Sequence, residues 1–254
     1  MSSLARRKVL TGLVQLPLAA VLADPRLARA AAAGLQDVSI TTAGGKRVGA
    51  ALALPEATPA SAVLLIHEWW GLNDQIKAVA AELAKEGYVA LAVDLYGGEV
   101  AATRDGAQAL MKQVDAGVAT DTLASWIAWL RAHDQVGGKV ATIGWCFGGG
   151  WSLNASIAAP VEATVVYYGR VNPSAEDLRS LEGPVLGHFA SRDKWINQEM
   201  VGGFEAAMKA AGKSVESHWY EADHAFANPT SARYDEDDAK LAWQRTLAFF
   251  RKYL

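Results

Sequence analysis

The chain has 254 residues, a formal net charge of −3 and 51% hydrophobic residues, which is enough to build the core of one large domain. Scattered basic residues exclude the positive surface that nucleic-acid binding requires. No stretch from residue 34 to the C-terminus approaches the roughly 20 apolar residues of a membrane span. Because no internal repeat or shift in composition marks a boundary, we predict a single domain over residues 31–254.

The first 30 residues have the layout of an export signal. A basic cluster at residues 5–8 precedes the largely apolar stretch 9–22, and the Ala-Arg-Ala of residues 28–30 resembles a cleavage site. The paired arginines favour a twin-arginine leader. We therefore predict that residues 1–30 are a signal peptide read by the twin-arginine export machinery, and that the mature protein is periplasmic or secreted. The alternative is a cytoplasmic protein with a frayed N-terminal helix.

From residue 36 onward, the hydrophobic pattern alternates between strands and helices. The predicted strands cover residues 38–41, 48–54, 62–66, 88–93, 139–144, 163–168, 184–190 and 214–220, and the predicted helices cover 73–86, 106–112, 121–132, 147–158, 198–211 and 235–253. This alternation predicts an α/β protein with a mostly parallel sheet and helices on both faces. Ligands of such sheets bind beyond the carboxyl ends of the strands.

A candidate nucleophile follows the strand at residues 139–144. Residues 144–150 read Gly-Trp-Cys-Phe-Gly-Gly-Gly, which has the form of a nucleophile elbow with cysteine in place of serine. Cys146 would lie at the N-terminus of the next helix, where backbone N–H groups and the helix dipole favour a thiolate. It is the single cysteine of the chain, so it cannot form an internal disulfide. The alternative is an inert, buried side chain in a glycine-rich turn.

An acid and a histidine follow two later strands. Asp193 comes after the strand at 184–190, and His224 comes after the strand at 214–220. The order nucleophile, acid, histidine is that of α/β-hydrolases, so we predict that fold, with His224 accepting the thiol proton and Asp193 orienting the imidazole. Asp223 is a rival acid, but it adjoins the histidine. The other histidines are weaker candidates, interpreted as mainly structural: His67, His133, His188 and His218.

Together these segments resemble the dienelactone hydrolases, or carboxymethylenebutenolidases. The resemblance extends from about residue 36 to the C-terminus, and it is carried by His67-Glu68-Trp69-Trp70-Gly71-Leu72-Asn73, Asp94-Leu95-Tyr96, Gly144-Trp145-Cys146-Phe147-Gly148-Gly149, Tyr167-Tyr168-Gly169, Asp193 and His224-Ala225-Phe226. It implies hydrolysis of a small-molecule ester or lactone through an acyl-thioester on Cys146. No metal or organic cofactor is required.

The resemblance also implies roles around the nucleophile. Glu68 would contact the resting thiol and help to release the thiolate when substrate binds. The backbone N–H groups of Trp69 and Phe147 would form the oxyanion hole, and Tyr168 would line the pocket.

The substrate-anchoring residues depart from the family pattern. Arg104 falls on the first of two arginine positions that bind a dienelactone carboxylate, but Asn228 stands at the second. A neutral amide there removes a charge-assisted contact worth about 1.5–3 kcal/mol. A neutral or singly anchored ester or lactone is therefore at least as well supported as a dienelactone.

Two other classes of function are open. A thiol redox sensor would use an oxidation-prone Cys146, but the chain has no second cysteine to resolve it. A non-catalytic binder of carbohydrate or small molecules could use some of the nine tryptophans. However, Trp126, Trp129 and Trp243 fit the packing faces of predicted helices, which leaves Trp69 and Trp70 near the predicted pocket.

Overall fold

Eight strands form one sheet in the computed structural model, which describes residues 16–254. They are β1 (Gln36–Thr41), β2 (Arg47–Ala53), β3 (Ala60–Ile66), β4 (Val89–Val93), β5 (Val136–Trp145), β6 (Ala163–Tyr167), β7 (Val185–Ala190) and β8 (Val215–Tyr220). The order across the sheet is β1-β2-β4-β3-β5-β6-β7-β8. The pairs β1–β2 and β2–β4 are antiparallel and all others are parallel, which confirms the predicted fold class.

Helices connect the strands. They are α1 (Leu18–Ala23), α2 (Pro25–Ala32), α3 (Asp74–Lys85), α4 (Arg104–Gln113), α5 (Ala116–Ala132), α6 (Phe147–Ala158), α7 (Ala175–Leu178), α8 (Gln198–Ala211) and α9 (Glu236–Tyr253). Side chains cap several of their N-termini: Asn73, Asp115 and Asn197 each accept a hydrogen bond from a backbone N–H in the first turn.

The core lies on both faces of the sheet. Residues 62–66 of β3 are fully buried, because helices cover the strand from either side. Val63 and Leu65 pack in the cluster that contains residues of α3 and α9, whereas Leu64 packs in the cluster that contains residues of α5. Layers on both faces hold the central strands rigidly, so their carboxyl ends are a firm support for the site.

The N-terminal segment packs against the domain. Val21 and Leu22 of α1 and Ala28 of α2 are buried in the same cluster as α3. The Ala-Arg-Ala of residues 28–30 lies inside α2, and the basic cluster at 5–8 lies outside the described residues. The signal peptide, its cleavage and export stay predictions. Within residues 16–254, no helix is both long and apolar enough to cross a membrane.

Candidate active site

Cys146 lies on the sharp turn between β5 and α6. Its backbone adopts φ 54° and ψ −116°, a conformation that costs a residue with a side chain about 1–3 kcal/mol. The Cys146 N–H donates a hydrogen bond of 3.0 Å to the carbonyl of Tyr167 on the neighbouring strand. The surrounding structure thus enforces the strained turn and directs the thiol outward from the carboxyl end of the sheet.

Glycines allow the backbone segments around this turn to touch. A Cβ on Gly148 would overlap the carbonyl oxygens of Ile66 and His67, at the end of β3. One on Gly144 would overlap the carbonyl of Gly148 itself. The glycines of the elbow therefore bring α6 against the loop that follows β3, where Glu68 is found.

The three residues predicted as a triad lie together. His224 Nε2 is 3.1 Å from Cys146 Sγ, and His224 Nδ1 is 2.5 Å from Asp193 Oδ2. Since an ionised carboxylate only accepts, Nδ1–H donates to Asp193, and Nε2 is left to accept the thiol proton. The side chains come from the ends of β5, β7 and β8, as the parallel sheet requires. Asp223 faces elsewhere, 3.5 Å from the Arg192 guanidinium.

Asp193 is held as a charged carboxylate. Burial works against its charge, but the His224 hydrogen bond and the backbone N–H groups of Trp195 and Ile196 outweigh that effect, so the pKa of Asp193 lies below its usual value. Its Oδ1 accepts from Trp195 at 2.8 Å and Ile196 at 3.1 Å. The carboxylate therefore fixes the ring orientation and tautomer of the histidine.

The thiol of Cys146 is protonated at rest. Burial raises its pKa to about 12, with a further contribution from the negative charge of Glu68, while the Phe147 backbone N–H and the positive charge of Arg233 act in the opposite direction. A thiolate forms only when the proton passes to the neighbouring imidazole of His224.

Glu68 lies buried near the thiol but is hydrogen-bonded elsewhere. Its Oε2 accepts 2.6 Å from Asn228 Nδ2, and its Oε1 accepts 3.5 Å from the Tyr168 hydroxyl. Burial raises the pKa of Glu68, and the Asn228 amide, the charge of His224 and the Tyr168 hydroxyl partly offset this. The resemblance implies a contact between Glu68 and the resting thiol; in the structure the thiol is hydrogen-bonded to His224.

Asn228, predicted as a substrate contact, is hydrogen-bonded within the protein. Its Nδ2 donates to Glu68, and its Oδ1 accepts from the backbone N–H and the hydroxyl of Thr230 at 2.9 and 2.8 Å. Both ends of the amide are thus used inside the protein, to tie Glu68 to the loop before α9. Arg104, the other predicted anchor, is the first residue of α4, exposed, and without a hydrogen bond or ion pair from its side chain to any residue of 16–254.

The remaining predicted residues surround the thiol. Tyr168 is fully buried at the end of β6, and its ring centroid is 5.2 Å from that of His224. Phe147 is the first residue of α6. Trp69 follows Glu68 in the chain, and its backbone N–H has no hydrogen-bond partner among residues 16–254. These two backbone amides belong to the start of α6 and to the loop after β3, which Gly148 brings into contact.

His67 is a structural residue. It is fully buried, its Nδ1 lies 2.6 Å from the Glu68 carbonyl, and its Nε2 accepts from the Leu95 N–H at 3.2 Å. The two partners define one neutral tautomer, and burial lowers its pKa. The ring therefore braces the loop after β3 and takes no part in proton transfer.

Two residues that were absent from the sequence-based predictions lie near the triad, one in contact with His224 and one in contact with the first. The Trp195 ring stands edge-on to His224, with centroids 5.3 Å apart, and the Arg233 guanidinium lies over Trp195. Because Trp195 is only two residues after Asp193 in the chain, its position near the triad could have been inferred from the sequence. Arg233 is brought there by the loop conformation, which the sequence pattern does not reveal.

A largely apolar cavity of about 260 Å³ adjoins Glu68 on the side of α3 and α9. Leu18 and Leu22 of α1 form part of its wall. Cleavage at the predicted signal site would remove this wall. In residues 16–254, no cluster of three or more His, Cys, Asp or Glu side chains is arranged to hold a metal ion.

Comparison with known proteins agrees with the geometry. The model of the dienelactone hydrolase family matches residues 48–254. A protein of Saccharolobus solfataricus assigned as a carboxymethylenebutenolidase is 31% identical over 82% of this chain and 95% of its own. The carboxymethylenebutenolidase of Pseudomonas sp. strain P51 is 28% identical over 85% and 95%. A crystal structure assigned to the dienelactone hydrolases, from Klebsiella pneumoniae, superimposes with a TM-score of 0.75 at 27% identity and covers 86% of this chain and 99% of its own.

Proposed function

Since the chain belongs to the dienelactone hydrolase family and is a hydrolase of ester or lactone bonds, we propose that it acts through Cys146 as nucleophile, His224 as general base and acid, and Asp193 as the group that orients His224. The observation that carries the proposal is the continuous hydrogen-bonded chain from Asp193 through His224 to the Cys146 thiol. Each member lies beyond a different strand, at the edge where α/β sheets bind ligands.

The reaction has two halves. As Cys146 Sγ attacks the carbonyl carbon, His224 Nε2 takes the thiol proton, and the oxyanion is stabilised by the backbone N–H groups of Phe147 and Trp69. Collapse breaks the ester C–O bond, and His224 gives its proton to the leaving oxygen. The Cys146 acyl-thioester is then attacked by a water that His224 deprotonates. The thioester C–S bond breaks, the acid product leaves, and the proton returns to sulfur.

The test of this mechanism is the isolation of the acyl-thioester. The full chain is screened with 4-nitrophenyl acetate, a neutral enol-lactone and a carboxylated dienelactone, and the reaction is quenched with acid during turnover. We expect the acyl mass to remain on the peptide that contains Cys146. Neutral hydroxylamine should release the label, as it does for thioesters. Turnover with no labelled peptide at any quench time, together with undiminished turnover after alkylation of Cys146, would contradict the proposal.

Glu68 sets the reactivity of the resting thiol in this mechanism. Since the thiolate is the reactive form, alkylation of Cys146 by iodoacetamide rises as pH passes through the thiol pKa. Glu68→Gln removes a negative charge that raises this pKa, so we expect the alkylation profile to move to lower pH and the rate at about pH 8 to increase several-fold. The measurement is the pH dependence of carbamidomethylation followed by mass spectrometry.

The control for this prediction is Glu182→Gln, which removes an exposed carboxylate and should leave the profile unchanged. A Glu68→Gln profile that coincides with that of the unmodified protein would show that the charge of Glu68 does not act on the thiol.

We also propose that the protein is exported through the twin-arginine route. The support is the arrangement of Arg6-Arg7, the apolar stretch and the Ala-Arg-Ala of residues 28–30. Cell fractionation of the full chain and of a variant with lysines at positions 6 and 7 is the measurement. Equal amounts of both proteins outside the cytoplasm would contradict this route.

A further inference from the structure

An exposed aromatic side chain stands beside the imidazole of the triad and an arginine lies over that side chain, and the mechanism uses neither. Trp195 is 61% exposed, although its ring contacts His224 edge-on at 5.3 Å between centroids. The guanidinium carbon of Arg233 is 5.8 Å from the centroid of the Trp195 ring. Leaving an indole in water forgoes the stabilisation of burial, so this surface is one that a ligand would favourably cover.

The charge of Arg233 has no ionic partner among residues 16–254. By contrast, Arg192 on the strand end next to Asp193 lies 3.6 Å from Glu221 and 3.5 Å from Asp223. Contact with the face of an aromatic ring orients a guanidinium plane while leaving its N–H donors free. Arg233 therefore offers an oriented, unneutralised fork of hydrogen-bond donors.

The loop that carries Arg233 is fixed at both ends. The Arg233 N–H donates to Ser231 Oγ at 3.1 Å, and the Asp235 N–H donates to the Phe226 carbonyl at 3.0 Å. Asn228 anchors the start of the loop through its two bonds with Thr230. The guanidinium is thus presented by an ordered backbone, which reduces the entropy that binding would otherwise cost.

Arg233 is connected to the triad through the Trp195 ring, which contacts both the guanidinium and the His224 imidazole. No hydrogen bond, ion pair or ring contact links Arg104, on α4, to any residue of the triad in the described part of the chain. Of these two arginines, Arg233 is the one that lies next to the triad, with the Trp195 ring between its guanidinium and His224.

We propose that Arg233, oriented by Trp195, is the anion anchor of the substrate site, and that the preferred substrates are esters or lactones with a single carboxylate on the part that extends past His224. The inference rests on the proposed function. A guanidinium binds a carboxylate through two parallel, charge-assisted hydrogen bonds. Fixing that end of the substrate positions the carbonyl over Cys146 and raises the efficiency of attack.

The test uses two substrates that differ only in charge: the monoanionic 4-nitrophenyl hydrogen adipate and its neutral methyl ester. For Arg233→Gln we expect kcat/KM on the anionic substrate to fall about 10- to 100-fold, mainly through KM, and kcat/KM on the methyl ester to stay within about twofold. Arg233→Lys should recover part of the loss, because it keeps the charge but not the planar fork. Added salt should reduce the preference of the unmodified protein for the anion.

The matched control is Arg251→Gln, which removes an exposed positive charge from the last turn of α9 and should change neither substrate. Equal losses of kcat/KM on both substrates in Arg233→Gln would overturn the proposal, because Arg233 would then act through the triad. A selective loss in Arg104→Gln with an unchanged Arg233→Gln would also overturn it.

A second readout separates this inference from the proposed function. Monomethyl adipate should quench the tryptophan fluorescence of Cys146→Ala, and adding Arg233→Gln should weaken that binding about tenfold or more. If the unmodified protein hydrolyses neither ester, the proposed chemistry fails, and this binding difference still supports the anchor. Equal binding by Cys146→Ala with and without Arg233→Gln would overturn the anchor even where turnover is normal.

Discussion

Cys146→Ala should abolish ester and lactone hydrolysis while the fold is retained. Without the sulfur there is no acyl acceptor, and a water molecule at the same point of the site is a much weaker nucleophile. We therefore expect kcat to fall by at least about 10⁴-fold. The measurement is turnover of 4-nitrophenyl acetate and the enol-lactone, with burst titration to count active sites. Substrate binding should survive, because the backbone N–H groups of Phe147 and Trp69 are unchanged.

The stability of the same variant is its control. Alanine keeps the Cβ and the strained backbone at φ 54°, so the free energy of unfolding should change by about 1 kcal/mol or less. Cys146→Gly should be equally inactive but more stable, because glycine adopts this backbone without strain. Turnover comparable to that of the unmodified protein in either variant would exclude Cys146 as the nucleophile and favour hydrolysis by another residue. Loss of turnover with intact ligand binding is the expected result.

The order of strands and helices was predictable because buried strands are short, continuous apolar runs. Residues 62–66 and 88–93 were predicted as strands, and β3 and β4 cover 60–66 and 89–93. Boundaries failed where the signal was not hydrophobic. Helix α5 begins at residue 116 rather than 121, since its cap, Asp115, accepts from the Val118 N–H. Helix α7 has four residues, too few for a periodic pattern, and is recognisable mainly by the capping box of Ser174 and Asp177.

The candidate site was predictable to the extent that it depends on strand ends. Cys146, Asp193 and His224 follow three parallel strands, and the topology alone brings them to the carboxyl end of the sheet. Asn228 shows the limit of this argument. Counting residues from the histidine placed Asn228 at a substrate contact. The chain turns at Ala225, which has φ 67°, and the side-chain amide of Asn228 donates to the buried Glu68. A hydrogen-bond partner 160 positions away cannot be inferred from spacing.

The positive charge near the nucleophile also could not be located by counting residues. The family pattern has a clamp of two arginines around the substrate carboxylate, and this chain has Asn228 at the second position. Asn228 instead holds Glu68 with a neutral amide, and the positive charge near the nucleophile comes from Arg233, on the same loop. Because Asn228 and Arg233 share one loop, the geometry of Glu68 and that of the proposed anion anchor are mechanically linked. Substitutions at Asn228 are therefore expected to disturb both.

Gly148→Ala should cause a large loss of stability. The new Cβ would overlap the backbone carbonyl oxygens of Ile66 and His67, and backbone atoms at the end of a buried strand cannot move aside as a flexible side chain does. Separating α6 from β3 would loosen packing on both faces of the sheet. We expect the free energy of unfolding to fall by about 3–5 kcal/mol, measured by urea denaturation.

The comparison that makes this result specific is Gly203→Ala. Gly203 lies within α8, and a Cβ there would meet nothing within 4 Å, so the same change should stabilise the protein by about 0.5–1 kcal/mol through helix propensity. Any Gly148→Ala protein that remains folded should also lose activity, because the contact that it breaks sets the distance between the Phe147 and Trp69 amides. A Gly148→Ala protein as stable as Gly203→Ala would mean that α6 does not press against the loop after β3, and the two-amide oxyanion hole would lose its structural basis.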